Sequence, residues 1–138
     1  MPKPDPSARA LKIAWLLWCA YVAYGSLLPF ELRAPPPEGA IWAFLNMPWL
    51  EIGLEGRIDW LANLLIYIPA GLLGCLALRH PTTPARTLRE SLGVGLGVFL
   101  LVCLLATGIE FAQVHFAPRT VSMNDLVAEF AGNALGCL

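Results

Sequence analysis

Three uncharged apolar runs, residues 13–30, 60–78 and 91–109, constrain this chain more than any other feature. Each is close to the ~20 residues a helix needs to cross a bilayer. In hydrocarbon every backbone N–H and C=O must find a partner inside the protein, and a helix satisfies nearly all of them within one segment. Composition agrees. The chain is 57 % hydrophobic and 14 % charged, with a mean hydropathy of +0.63, whereas a soluble domain carries about a quarter charged residues. Its 138 residues leave room for one domain. The expected fold is therefore all-α: a polytopic membrane helix bundle with three full spans, a partial fourth and a short interfacial helix. The lipid bilayer is its first partner. A net charge of −1 argues against a nucleic-acid partner.

Residues 1–10 are Pro-rich and polar and are expected to form a flexible N-terminus ahead of a transmembrane domain over 11–138. Lys3, Arg9 and Lys12 precede the first run, which is longer than a signal-peptide core and lacks a small-x-small cleavage pattern, so a retained helix is expected. Pro35, Pro36 and Pro37 break the next segment; Trp42, Phe44 and Trp49 suit the headgroup region, with a short helix around 40–47 ending near Pro48. Pro69 falls inside the second run, where neighbouring helices can accommodate the lost hydrogen bond. Thr87 and Glu90 have capping-box spacing. Gly93 and Gly97 have the small-xxx-small spacing of close helix contacts. Residues 126–138 are too short to span. They form either a half-helix packed on its neighbours or the start of a span cut short, and the stop at Gly136-Cys137-Leu138 favours the second. Cys19, Cys75, Cys103 and Cys137 lie in apolar segments without zinc-motif spacing and read as small buried residues.

Basic residues set the expected orientation. Lys3, Arg9 and Lys12 flank one end, as do Arg79, His80, Arg86 and Arg89; Arg33 and Arg57 are outweighed by glutamates in 31–58, and 115–124 holds only Arg119. The N-terminus and the 79–90 loop are then cytoplasmic and the other two loops are outside. This gathers Asp59 and Asn63, Glu110 and Gln113, and Arg119, Ser122, Asp125 and Glu129 at one outer face. Asp59 and Asn63 are four residues apart, Glu110 and Gln113 three, Asp125 and Glu129 four, so each pair shares a helix face, and Asn133 extends the last one. The second and last helices also read alike, as a weak internal repeat of Asp59-x-x-x-Asn63 and Asp125-x-x-x-Glu129, each followed by paired glycines.

Such groups can simply hold helices together, at roughly 0.6 kcal/mol per contact. Asn63 and Gln113 fit that role. Four carboxylates with Arg119, Arg57 and His115 nearby fit it less well, because ionisable groups at membrane depth usually mark a working site. Glu110 and Asp125 are the first candidates, with Arg119 as their counter-charge. A metal held by His115, Glu110 and Asp125 is a weaker alternative, with one imidazole and no paired-histidine motif. The sequence implies no cofactor.

The order of Tyr24-Gly-Ser-Leu-Leu-Pro29-Phe30, Asp59-Trp-Leu-Ala-Asn63, Pro69-Ala-Gly71, Ile109-Glu110-Phe-Ala-Gln113, Arg119-Thr-Val-Ser122-Met-Asn-Asp125-Leu, Gly132 and Gly136 resembles the VanZ-like family of small bacterial membrane proteins. The resemblance covers residues ~20–138 and rests on order and spacing together. It implies a bacterial inner-membrane location, a link to low-level teicoplanin-type glycopeptide resistance, and characteristic positions at Asp59, Asn63, Pro69, Gly71, Glu110, Gln113, Arg119, Ser122 and Asp125. Glu129 departs from the asparagine usual there. If that position only donates a hydrogen bond, Glu129 must be protonated, which burial beside Asp125 favours.

Three functions follow as expectations. The outer cluster binds an envelope lipid, a lipid-linked precursor or a lipophilic glycopeptide. Alternatively, two of its carboxylates serve as acid and base in an enzyme acting on an envelope lipid or glycan. Or the chain is a non-catalytic partner in an oligomer or larger membrane complex, packing through Gly93, Gly97, Gly132 and Gly136.

Overall fold

A computed structural model describes residues 6–34, 38–51, 53–78 and 87–138. It contains five helices, α1 (Pro6–Leu27), α2 (Ala40–Leu45), α3 (Leu54–Leu78), α4 (Leu88–Gln113) and α5 (Met123–Cys137), and two short strands, β1 (Glu31–Leu32) and β2 (Phe116–Ala117). Pro6–Leu27, Gly56–Leu78 and Leu88–Gln113 are each long and apolar enough to cross a membrane. The protein is thus a multi-pass membrane protein. Arg79, His80 and Arg86, used above for orientation, and the three prolines at 35–37 lie outside the described residues.

The helices outrun the apolar runs that announce them. α1 begins at Pro6, so Pro6–Ala10 of the segment expected to be flexible are helical; residues 1–5 are not described. Proline is tolerated in a first turn, and Ser7 to Ala10 offer nothing that opposes a helix. α1 ends at Leu27, before Pro29, rather than at residue 30. α3 starts at Leu54 and α4 ends at Gln113, so Asp59, Glu110 and Gln113 stand within helices rather than beside them. α4 opens with the expected capping box: the Thr87 hydroxyl accepts from Glu90 N and the Glu90 carboxylate accepts from Thr87 N.

Side-chain periodicity divides lipid from core. Leu88, Leu92, Leu96, Leu100 and Leu104 recur every fourth residue along α4 and all are exposed, as Leu16, Leu17 and Tyr21 are on α1. So continuous an apolar surface on helices of spanning length suits a hydrocarbon solvent. The opposite face of α4 carries Val98, Val102, Ala106 and Ile109, which pack with Val22, Tyr67, Ala70 and Cys75. Glu110 and Gln113 continue that buried face. The Trp18 indole N–H donates to the Ile66 carbonyl across α1 and α3 (3.0 Å).

α5 is held inside the bundle, parallel to α3 and in close contact with it. A Cβ on Gly132 would strike the Leu64 carbonyl, and one on Gly136 the Ile68 carbonyl. Backbones can approach this closely only where side chains are missing. Gly132 and Gly136 are therefore used within the chain and cannot also dock a partner. Gly93 and Gly97, expected to make close helix contacts, have open space around them. They lie on the exposed side of α4, away from the neighbours that α5 and α3 supply. Asn133 fastens α5 to α4, its amide donating to the Phe99 carbonyl (2.9 Å) and to Cys103 Sγ (3.5 Å). Cys137 Sγ donates to Asn133 Oδ1 (3.6 Å), so two of the four cysteines join this polar contact rather than serving only as apolar filler.

At the end of the bundle where α1 and α4 finish and α3 and α5 begin, β1 pairs antiparallel with β2, setting Glu31 opposite Ala117 and Leu32 opposite Phe116. α2 lies alongside, with Phe44 edge-on to Phe111 of α4 (5.5 Å between ring centres). Ile41, Trp42 and Leu45 of α2 point outward, as suits a helix in the headgroup region.

Candidate functional site

A cavity of about 330 Å³ opens at this end, lined by Asp59, Asn63, Glu110, Gln113, Arg119 and Asp125, with Ala62, Pro118 and Thr120. Six of the eight residues singled out from sequence therefore share one space, drawn from α3, α4, α5 and the turn between the last two. Ser122 and Glu129 do not line it.

Asp125 is the best-anchored member. Its Oδ1 accepts from the Asn63 amide (2.9 Å) and its Oδ2 from the Ser122 hydroxyl (2.7 Å). Ser122 is the N-cap of α5, and its hydroxyl also accepts from the Asp125 backbone N–H (3.2 Å). One buried side chain thus starts the helix and aims the carboxylate. The carboxylate also sits in the first turn of α5, where the helix dipole favours a negative charge.

Glu110 differs. It is 1 % exposed, and its Oε2 has no hydrogen-bond partner among the described residues. The Ser122 backbone N–H bonds to its carboxylate, and the charged groups it interacts with include Asp125, Arg119 and Glu129. Gln113, one turn on, donates from Nε2 to the Ser26 carbonyl (3.2 Å), closing the end of α4 onto the end of α1. Asp59 is exposed at the mouth. Three carboxylates and Arg119 thus line one cavity.

Glu129 lies one helical turn beyond Asp125 and is buried, its Oε2 unpartnered. Its neighbour is the Tyr67 hydroxyl, which is also buried. Tyr67 was not foreseen: a tyrosine in an apolar run reads as an interface anchor, and only the packing of α3 on α5 turns it inward. Asn124, in the same outer turn as Ser122 and Asp125 in the sequence, has a partner that spacing does not show. Its Oδ1 accepts from Leu50 N (2.9 Å) and its Nδ2 donates to the Leu50 carbonyl (3.2 Å), while Met123 N donates to the Pro48 carbonyl (3.1 Å). These bonds clamp the segment after α2 onto the start of α5. Arg33 N donates to the His115 carbonyl (2.9 Å), and His115 stacks edge-on against Phe111. Among the described residues no three His, Cys, Asp or Glu side chains are grouped to hold a metal ion.

Fold and site together define a small polytopic membrane protein with an acidic polar cavity at one end of its bundle. The chain belongs to the VanZ/LLP1 family, whose sequence profile matches residues 11–138. No curated protein and no solved structure matches it.

Proposed function

We propose that the cavity faces outward from the bacterial inner membrane and binds the polar end of an envelope lipid, a lipid-linked precursor or a lipophilic glycopeptide, giving low-level teicoplanin-type tolerance. The N-terminus is then cytoplasmic. One observation carries this reading: Glu110 is buried at the cavity with a carboxylate oxygen that has no hydrogen-bond partner among the described residues. Burying such an oxygen unpaired costs free energy, and at the cavity, unlike at Glu129, a ligand donor can enter to satisfy it. A space of about 330 Å³ is at the small end of ligand sites, the size for a headgroup rather than a whole lipid. Glu110 and Asp125 take amine or hydroxyl donors, and Arg119 takes an anionic group.

The test is binding of teicoplanin and of a polyprenyl-linked precursor analogue to the purified full chain. Glu110→Gln and Asp125→Asn should each weaken binding about tenfold, the scale of one charged hydrogen bond. Wild-type affinity in both variants would refute the reading. Acid/base chemistry on the same ligand is the second reading. It is favoured by the unlike surroundings of Asp125, held by two side chains, and Glu110, with a bare oxygen; release of a cleaved product would support it.

A further inference from the structure

Beside the acidic cavity lies a second hollow of about 370 Å³ with a different character. Its walls are Pro48, Leu50, Val114 and Val121, and its charged groups among the described residues are Arg33 and Arg119. Arg119 and Thr120 line both spaces and so form the partition between them. The Arg33 guanidinium donates to the Arg119 carbonyl (2.6 Å), which fixes it over the groove. The backbone beneath is held from both sides, by the Arg33–His115 bond of the strand pair and by the Asn124–Leu50 clamp. Leu32 and Trp49, next in sequence to the groove residues Arg33 and Leu50, are exposed apolar side chains, as befits a surface immersed among lipids.

Charge separates the two spaces. On one side of Arg119 stand Asp59, Glu110 and Asp125, which repel an anion; on the other stands Arg33, which attracts one. Guanidinium groups suit phosphate oxygens because of their planar, forked donors. Apolar walls beside two such groups fit a molecule whose anionic end is joined to a hydrocarbon chain.

We propose that this groove is a site for an anionic phospholipid, with the phosphate between Arg33 and Arg119 and the first part of its chain on Pro48, Leu50, Val114 and Val121. The inference rests on the reading above in one respect: whatever the lipid phosphate carries beyond it projects past Thr120 into the acidic cavity. It deepens that reading by moving the anionic group from the cavity to the groove and adding Arg33 to its recognition.

The test is native mass spectrometry of the purified full chain in detergent, offered dioleoyl phosphatidate, dioleoyl phosphatidylcholine and dioleoylglycerol at equal concentration. Wild type should retain phosphatidate over both others. Arg33→Gln should lower that preference about tenfold, the scale of one charge-assisted hydrogen bond, and Arg33→Lys should keep most of it. Equal retention of all three lipids, or an unchanged preference in Arg33→Gln, overturns the proposal. If Arg33→Gln does not fold, loss of the preference in a folded Arg33→Lys variant overturns the charge argument in its place. The cavity reading fails separately. If Glu110→Gln and Asp125→Asn bind teicoplanin and the precursor analogue as wild type does while the Arg33-dependent preference persists, the groove stands and the cavity falls; absence of the preference with both variants impaired gives the reverse.

Discussion

The Asn63 amide of α3 donates to Asp125 Oδ1 of α5 at 2.9 Å, joining two parallel helices at the lip of the cavity. It is both a packing contact and part of the site, because the same carboxylate lines the cavity and is held on its other oxygen by the N-cap serine.

Removing the donor should therefore weaken the fold before it touches any ligand. Asn63→Ala is expected to lower stability by about 1–3 kcal/mol, the range for leaving a charged acceptor short of a bond. Asn63→Asp should be worse, since it sets a second carboxylate against Asp125. Thermal unfolding in detergent measures both, and an unchanged transition in Asn63→Asp would show that the bond is not made.

The glycines make opposite predictions in pairs. Gly132→Leu and Gly136→Leu drive a side chain into the α3 backbone at Leu64 and Ile68, an overpacking expected to cost ~3 kcal/mol or more. Gly93→Leu and Gly97→Leu enter open space and should leave the extracted monomer as stable as wild type. Fluorescence-detected gel filtration after heating separates these outcomes. Equal loss in all four would mean that α4 has a partner on its outer face.

The Asn124 clamp predicts a local effect. Asn124→Ala deletes both side-chain bonds to the Leu50 backbone, so amide exchange at Leu50 should speed up about tenfold or more while the buried face of α4 stays protected. Hydrogen exchange read by mass spectrometry checks it; unchanged exchange at Leu50 would contradict the clamp.

Orientation is tested by labelling. In a chain stripped of its four cysteines, Thr120→Cys at the cavity mouth should react with an impermeant maleimide on intact cells, and Arg9→Cys only after permeabilisation. The reverse pattern would turn the cavity to the cytoplasm.

Much of this architecture was legible from apolar runs and helical spacing. The three long helices announce themselves by length and lack of charge, and Asp59, Asn63, Glu110, Gln113, Arg119 and Asp125 converge because antiparallel spans bring alternate ends together. What spacing could not supply was the partner of each face. Gly93-x-x-x-Gly97 and Gly132-x-x-x-Gly136 look the same as strings, yet only the second meets a backbone. The pair of Leu32 with Phe116 is too short to have a periodicity. Asn124 bonds to main-chain atoms of Leu50, which no residue type encodes, and Tyr67 is turned inward only because α5 packs against α3. Helix ends were misjudged by several residues, since a helix continues past its apolar stretch wherever its polar residues face the cavity or the headgroups.

The most direct measurement is glycopeptide tolerance in a bacterial host lacking this protein, comparing wild type with Glu110→Gln and Asp125→Asn at equal membrane abundance. Wild type is predicted to raise teicoplanin tolerance and both variants to lose it. Variants that protect as well as wild type would contradict the account and reduce the polar cluster to a fastening between helices.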